Sequence, residues 1–127
     1  MAAMNNKIIS IILLFLALAF QCYSQCQLSD LKIEQERTGV KVKNKQEWRV
    51  FIITDCICNF PLVALNCSGF QTVEPIDPSL KIVHSTGKFC LIADGNNPIT
   101  RFRPATFRYA WDSSFPFDIV GVEIYCP

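Results

Sequence analysis

Residues 48–54 read WRVFIIT, and this run decides the fold class. Side chains alternate faces along an extended chain, so Trp48, Val50 and Ile52 share one side and Phe51 and Ile53 the other. A segment apolar on both faces has to be covered on both, which makes it an expected central strand. Just upstream, Val40 and Val42 alternate with Lys41, Lys43 and Lys45, the period of a strand with one wet face. Leu28 to Ile33 alternates more weakly. Downstream, Pro61 is expected to end a stretch, and Leu62 to Asn66 to form a short return strand. Further strands are expected at Lys81 to His84, Phe89 to Ala93, Ala105 to Trp111 and Asp118 to Tyr125. Gly69, Pro75 and Pro78, then Asp94, Gly95, Asn96, Asn97 and Pro98, supply the turns between them. Short strands at this spacing indicate an all-β fold, a small antiparallel sandwich or barrel in a single domain.

The N-terminal block belongs to a different class. Lys7 precedes an uncharged run from Ile8 to Phe20, well short of the ~20 residues that span a bilayer as a helix. A basic start, an apolar centre and the small residues Cys22 and Ser24 are the pattern of a secretory signal peptide. Residues 1–24 are therefore expected to be removed, leaving 25–127 as an extracellular domain with no membrane insertion. Cysteine arithmetic agrees: of seven cysteines, loss of Cys22 leaves Cys26, Cys56, Cys58, Cys67, Cys90 and Cys126. An even set in a secreted domain reads as a disulfide framework. Zinc fits poorly, because only one residue separates Cys56 from Cys58 and no second such pair follows. Three disulfides closing loops of tens of residues each add about 3–4 kcal/mol, comparable to a small domain's net stability. The pairing stays open, except that Cys56 and Cys58 should take different partners, because a bridge between them would strain an extended strand.

The remaining residues exclude more chemistry than they suggest. The chain has 12 Lys and Arg against 11 Asp and Glu, and without Lys7 the balance is neutral. No whole-domain footprint for nucleic acid exists. His84 is the single histidine, so no histidine metal site or relay is available, and neither a cofactor nor a catalytic set is expected. Glu34 and Glu36 point the same way on a strand, and a solvated face explains them. Phe107, Tyr109 and Trp111 share one strand face and read either as core or as a stacking platform for sugar rings. Lys41, Lys43 and Lys45 read either as guards of an exposed strand edge or as a row of cations for an acidic partner. Arg101, Arg103 and Arg108 form a second basic group, of the residue type favoured at binding hot spots. Asn66-Cys67-Ser68 matches the N-glycosylation acceptor pattern at Asn66. No dibasic pair occurs after residue 24, so the folded domain itself is the expected active species.

The cysteine order and the words around it resemble a known family. The elements are Cys56-Ile57-Cys58, Asn66-Cys67-Ser68-Gly69-Phe70 and Pro75-Ile76-Asp77-Pro78. They continue with Gly87-Lys88-Phe89-Cys90-Leu91-Ile92, the Asp94-Gly95 turn and Pro98-Ile99. Phe107-Arg108-Tyr109-Ala110-Trp111 and the terminal Cys126 complete the set. From Cys26 to Cys126 the chain is similar to the plant tapetum-determinant proteins, small secreted cysteine-rich factors that specify anther cell fate, as a short and divergent member. The resemblance implies an apoplastic signalling ligand whose partner is the ectodomain of a leucine-rich-repeat receptor kinase. The alternative reading is a non-catalytic module that binds cell-wall polysaccharide, and it rests on the aromatic row and the basic strand.

Overall fold

The computed structural model describes residues 9–14, 26–76, 88–93 and 97–127, together with the backbone of 81–85. Seven strands follow one another: β1 (Leu31–Val42), β2 (Lys45–Thr54), β3 (Asn59–Asn66), β4 (Lys81–Ser85), β5 (Phe89–Ala93), β6 (Ala105–Trp111) and β7 (Asp118–Tyr125). The WRVFIIT run occupies β2, the middle strand of an antiparallel sheet ordered β1-β2-β6. The second sheet is also antiparallel and is ordered β4-β5-β3-β7.

One apolar cluster lies between the sheets, so the fold is a sandwich. The first sheet contributes Val50, Ile52, Phe107 and Tyr109; the second contributes Phe60, Val63, Leu65 and Ile92. Phe70 and Phe117, from the connections, close the cluster at one end. Their rings meet Tyr109 edge-on at 5.2 and 5.8 Å, a geometry that adds to simple burial. Tyr109 is wholly buried, and its hydroxyl is satisfied on both sides. It donates to Gln35 Oε1 at 2.6 Å and accepts from the Phe115 N–H at 2.7 Å. Burial pushes this phenol above its ordinary pKa. Phe107 and Tyr109 are thus core, and Trp111 is half-buried against its edge, which removes the row as an exposed sugar platform.

Local chemistry moves several expected boundaries. Leu28–Asp30 is a single 3-10 turn, not strand, because the Asp30 carboxylate accepts from the Gln27 N–H at 2.8 Å. Such short side-chain bonds compete with a ladder, and β1 begins only at Leu31. The Lys41–Lys45 alternation is interrupted by a two-residue hairpin turn at Lys43 and Asn44, both at positive φ, so the three lysines never share a strand face. Pro61 does not end a strand. It lies inside β3, where the pairing with β7 shifts register between Asn59 and Leu62, one of the few places a residue without an N–H is tolerated.

Cys56 and Cys58 sit in the bend between β2 and β3, not on a strand. Each takes a different partner, in the bridges Cys26–Cys56 and Cys58–Cys126. Cys67–Cys90 ties β3 to β5. Residues 94–96, three of the five in the expected Asp94–Pro98 turn, lie outside the described residues, as do the expected turn residue Pro78 and the His84 side chain. In the apolar N-terminal block residues 9–14 are helical. Among the described residues no helix is long and apolar enough to cross a membrane.

Candidate functional site

The connection from β5 to β6 builds the most prominent exposed feature. Ile99 is buried and exchanges both backbone hydrogen bonds with Phe60, each at 2.9 Å. Beyond this anchor Thr100 and Arg103 exchange theirs at 3.1 Å, and the Phe102 N–H donates to Thr100 Oγ1 at 3.2 Å. Residues 100–103 therefore form a closed turn whose backbone is fixed before any partner arrives. Pro104 follows and leads into β6. At the apex the Phe102 ring is 83% exposed. The Arg101 guanidinium lies over it at 4.7 Å, and Arg103 Nη1 donates to Asn97 Oδ1 at 2.7 Å. Two cations and an aromatic ring are held together on a rigid tip.

The other predicted basic residues go elsewhere. Arg108 does not join Arg101 and Arg103. It is exposed on the outer face of the first sheet, directly across from Arg49. Glu36 on β1 pairs with Arg49 at 3.3 Å, so the row across the three strands reads one carboxylate and then two guanidinium groups. Lys41 lies near the end of β1, an edge strand, and Lys43 in the hairpin turn. Lys45 Nζ bonds both Asp112 carboxylate oxygens at 2.8 Å and lies over the Trp111 ring at 5.0 Å, so its charge is already engaged. Asn66 is exposed at the end of β3, with its Oδ1 accepting from the Ser68 N–H at 3.1 Å. Its neighbour Cys67 is buried in a disulfide, while the asparagine itself remains at the surface. Glu34 and Glu36 lie on the solvated outer face of β1.

A carboxyl pair on that same face had no signal in the sequence. Opposite Glu47 the β1 register jumps from Arg37 to Lys41, so Thr38, Gly39 and Val40 bulge across from one residue. Gly39 takes φ +85° there, a conformation that costs glycine little. The bulge aims Thr38 Oγ1 at Glu47 Oε1, 2.7 Å away. Glu47 is only 4% exposed and is hydrogen-bonded to Glu74, which lies on the segment covering the free edge of β6. That segment is fastened by the Val73 N–H to the Ala110 carbonyl and by the Ala110 N–H to Thr72 Oγ1, both at 3.0 Å. Burial, and then the Glu47 carboxylate, push Glu74 up to about 7. Glu47 is held below its ordinary value by the bonds from Glu74 and Thr38. The two share a proton, with Glu74 the acid and Glu47 the carboxylate. Nothing in local spacing marks residues 27 positions apart as partners.

The missed residue at the tip was more legible. Phe102 stands between two arginines and two positions before a proline, and an aromatic there has no strand on which to be buried.

Comparison with known proteins gives one match. A family model described as Tapetum determinant 1, C-terminal, matches residues 27–126. No curated protein and no solved structure matches the chain.

Proposed function

The chain belongs to the tapetum determinant family, and from that membership we propose that it is a secreted signalling ligand for a leucine-rich-repeat receptor kinase. It acts in the apoplast on cell fate of the anther and tapetum type. The observation that carries this reading is the extent of the family match, which takes in all seven strands and every bridging cysteine except Cys26. Three disulfides suit an oxidising compartment, and residues 1–24 supply the leader that would deliver the chain there. The rigid 100–103 tip supports a contact role, since it offers two cations and an aromatic ring without further ordering. Burial of Phe107 and Tyr109 takes away the surface on which the polysaccharide reading depended.

The test uses the protein collected from the medium of cells that express the full chain. N-terminal sequencing should start at or near Gln25, and thiol titration should find no free cysteine. The same material should be retained by one or more of a panel of purified plant leucine-rich-repeat receptor-kinase ectodomains, and not by a cell-wall polysaccharide array. Retention by the array alone would replace the ligand reading with the glycan one.

A further inference from the structure

We propose that Phe102 is the anchor of the receptor contact, inserted by the 100–103 turn into an apolar pocket rimmed by carboxylates on the ectodomain. The inference rests on the ligand reading and adds the residue and the chemistry of the complementary site.

Four observations carry it. A phenyl ring exposed at 83% forgoes the burial that the neighbouring Phe107 and Phe117 obtain in the same sandwich. Its backbone is fixed by the Phe60–Ile99 and Thr100–Arg103 bonds, so a partner has little loop entropy to remove. Among the described residues, no carboxylate forms an ion pair with Arg101 or Arg103. Arg101 stacks on the ring at 4.7 Å, which leaves the edge of its guanidinium free to fork onto a carboxylate beside an inserted ring.

The surroundings extend the patch. β3 carries the tip on one side through Phe60 and pairs Asn59 with Tyr125 on the other. Ile57 and Tyr125 flank the Cys58–Cys126 bridge, whose Cα atoms are 4.4 Å apart, and are 44% and 65% exposed. The segments that carry Phe102, Tyr125 and Ile57 thus all meet the chain at the start of β3. An aromatic and aliphatic centre with arginines beside it has the composition of a protein–protein hot spot. Charge complementarity then sets the partner: apolar where the ring enters, acidic where the guanidinium groups land.

The experiment compares secreted wild type with Phe102→Ala, Phe102→Leu and Arg101→Glu/Arg103→Glu on the ectodomain panel, at two salt concentrations. Phe102→Ala should raise Kd about 30-fold or more, mainly through faster dissociation. Phe102→Leu should recover part of the loss. The charge reversal should slow association and flatten its salt dependence. Secretion and thermal midpoint of Phe102→Ala should match wild type, because the ring packs on little of the domain. If an ectodomain holds wild type and Phe102→Ala equally, the anchor is refuted while the ligand reading stands. If no ectodomain holds wild type, both fall. Binding through Phe102 to phosphatidylcholine–phosphatidylserine vesicles, with no ectodomain retained, would assign the tip to a lipid surface and overturn the proposal. Loss of secretion by Phe102→Ala would contradict the exposed placement on which it stands.

Discussion

Glu74 holds its proton because burial disfavours its charged form and charging it would set it against the buried Glu47 carboxylate. Around the pair stand Thr38 and Glu36 from β1, Arg49 from β2 and Arg108 from β6. The two arginines favour the charged forms, but burial and the like charge outweigh them at Glu74. The folded Glu74 titrates near pH 7 and the unfolded one near 4.5. Between these values the native state keeps a proton that the unfolded chain has lost. The contribution is therefore complete below about pH 4.5 and fades as pH rises to about 7. Glu47 acts in the opposite sense: its contribution is present above 4.5 and is lost as pH falls through its lowered folded value. Wild type should lose on the order of 1–2 kcal/mol between pH 4.5 and 7.5, after allowance for solvent screening at the partly exposed Glu74. Glu74→Gln should flatten that slope, because the amide still donates to Glu47 at every pH. Urea midpoints measured across this range decide it. A wild-type midpoint that rises with pH, or parallel curves for the two proteins, would show that no proton is shared.

At the level of elements, the hairpin joining β1 and β2 is a suboptimal choice for its geometry. Two-residue turns with both central residues at positive φ favour Asn followed by Gly, whereas Lys43 and Asn44 occupy them at 50° and 66°. Lys43→Asn/Asn44→Gly should stabilise the fold by roughly 0.5–1 kcal/mol. Equilibrium denaturation checks it, and unchanged stability would mean that the turn is not of this type. β5, β6 and β7 were readable to the residue from alternation and punctuation, and β2 from its two-sided apolar run. Period-2 patterning reports burial, and burial is what fixes a strand. The hairpin was not readable because alternation continues through Lys43: a two-residue turn preserves the period while reversing the chain. Pro61 misled for a related reason, since a bulge accepts the residue that a regular ladder rejects. Glu47 and Glu74 were beyond reach altogether. Their meeting depends on how the 70–76 segment covers β6, a long-range placement that leaves no local spacing to read.

In the whole molecule, two disulfides fasten the bend at residues 55–58 to the segments before the first strand and after the last, with the Sγ atoms of Cys26, Cys58 and Cys126 within 4.8 Å of one another. Cys26 precedes β1, an edge strand of the first sheet, and Cys126 follows β7, an edge strand of the second. The third bridge, Cys67–Cys90, joins strands that are already hydrogen-bonded neighbours. The sequence separations are 68 residues for Cys58–Cys126 and 23 for Cys67–Cys90. Loop entropy then assigns about 4 kcal/mol to the first and about 3 to the second. Cys58→Ala/Cys126→Ala should lower the unfolding midpoint more than Cys67→Ala/Cys90→Ala, and the reverse order would contradict the stapling role given to the bend. The exposed tip and the Ile57–Tyr125 segments are both held by the first residues of β3, and the proposed recognition runs through them. Hydroxyl-radical footprinting of the secreted protein, free and bound to the ectodomain that retains it, tests this most directly. Phe102 and Tyr125 should be oxidised readily in the free protein and protected in the complex, while exposed Phe89, paired with Asn66 at the far end of β3, keeps its reactivity. Protection that spares Phe102 and Tyr125 and falls instead on the outer face of the first sheet would contradict it.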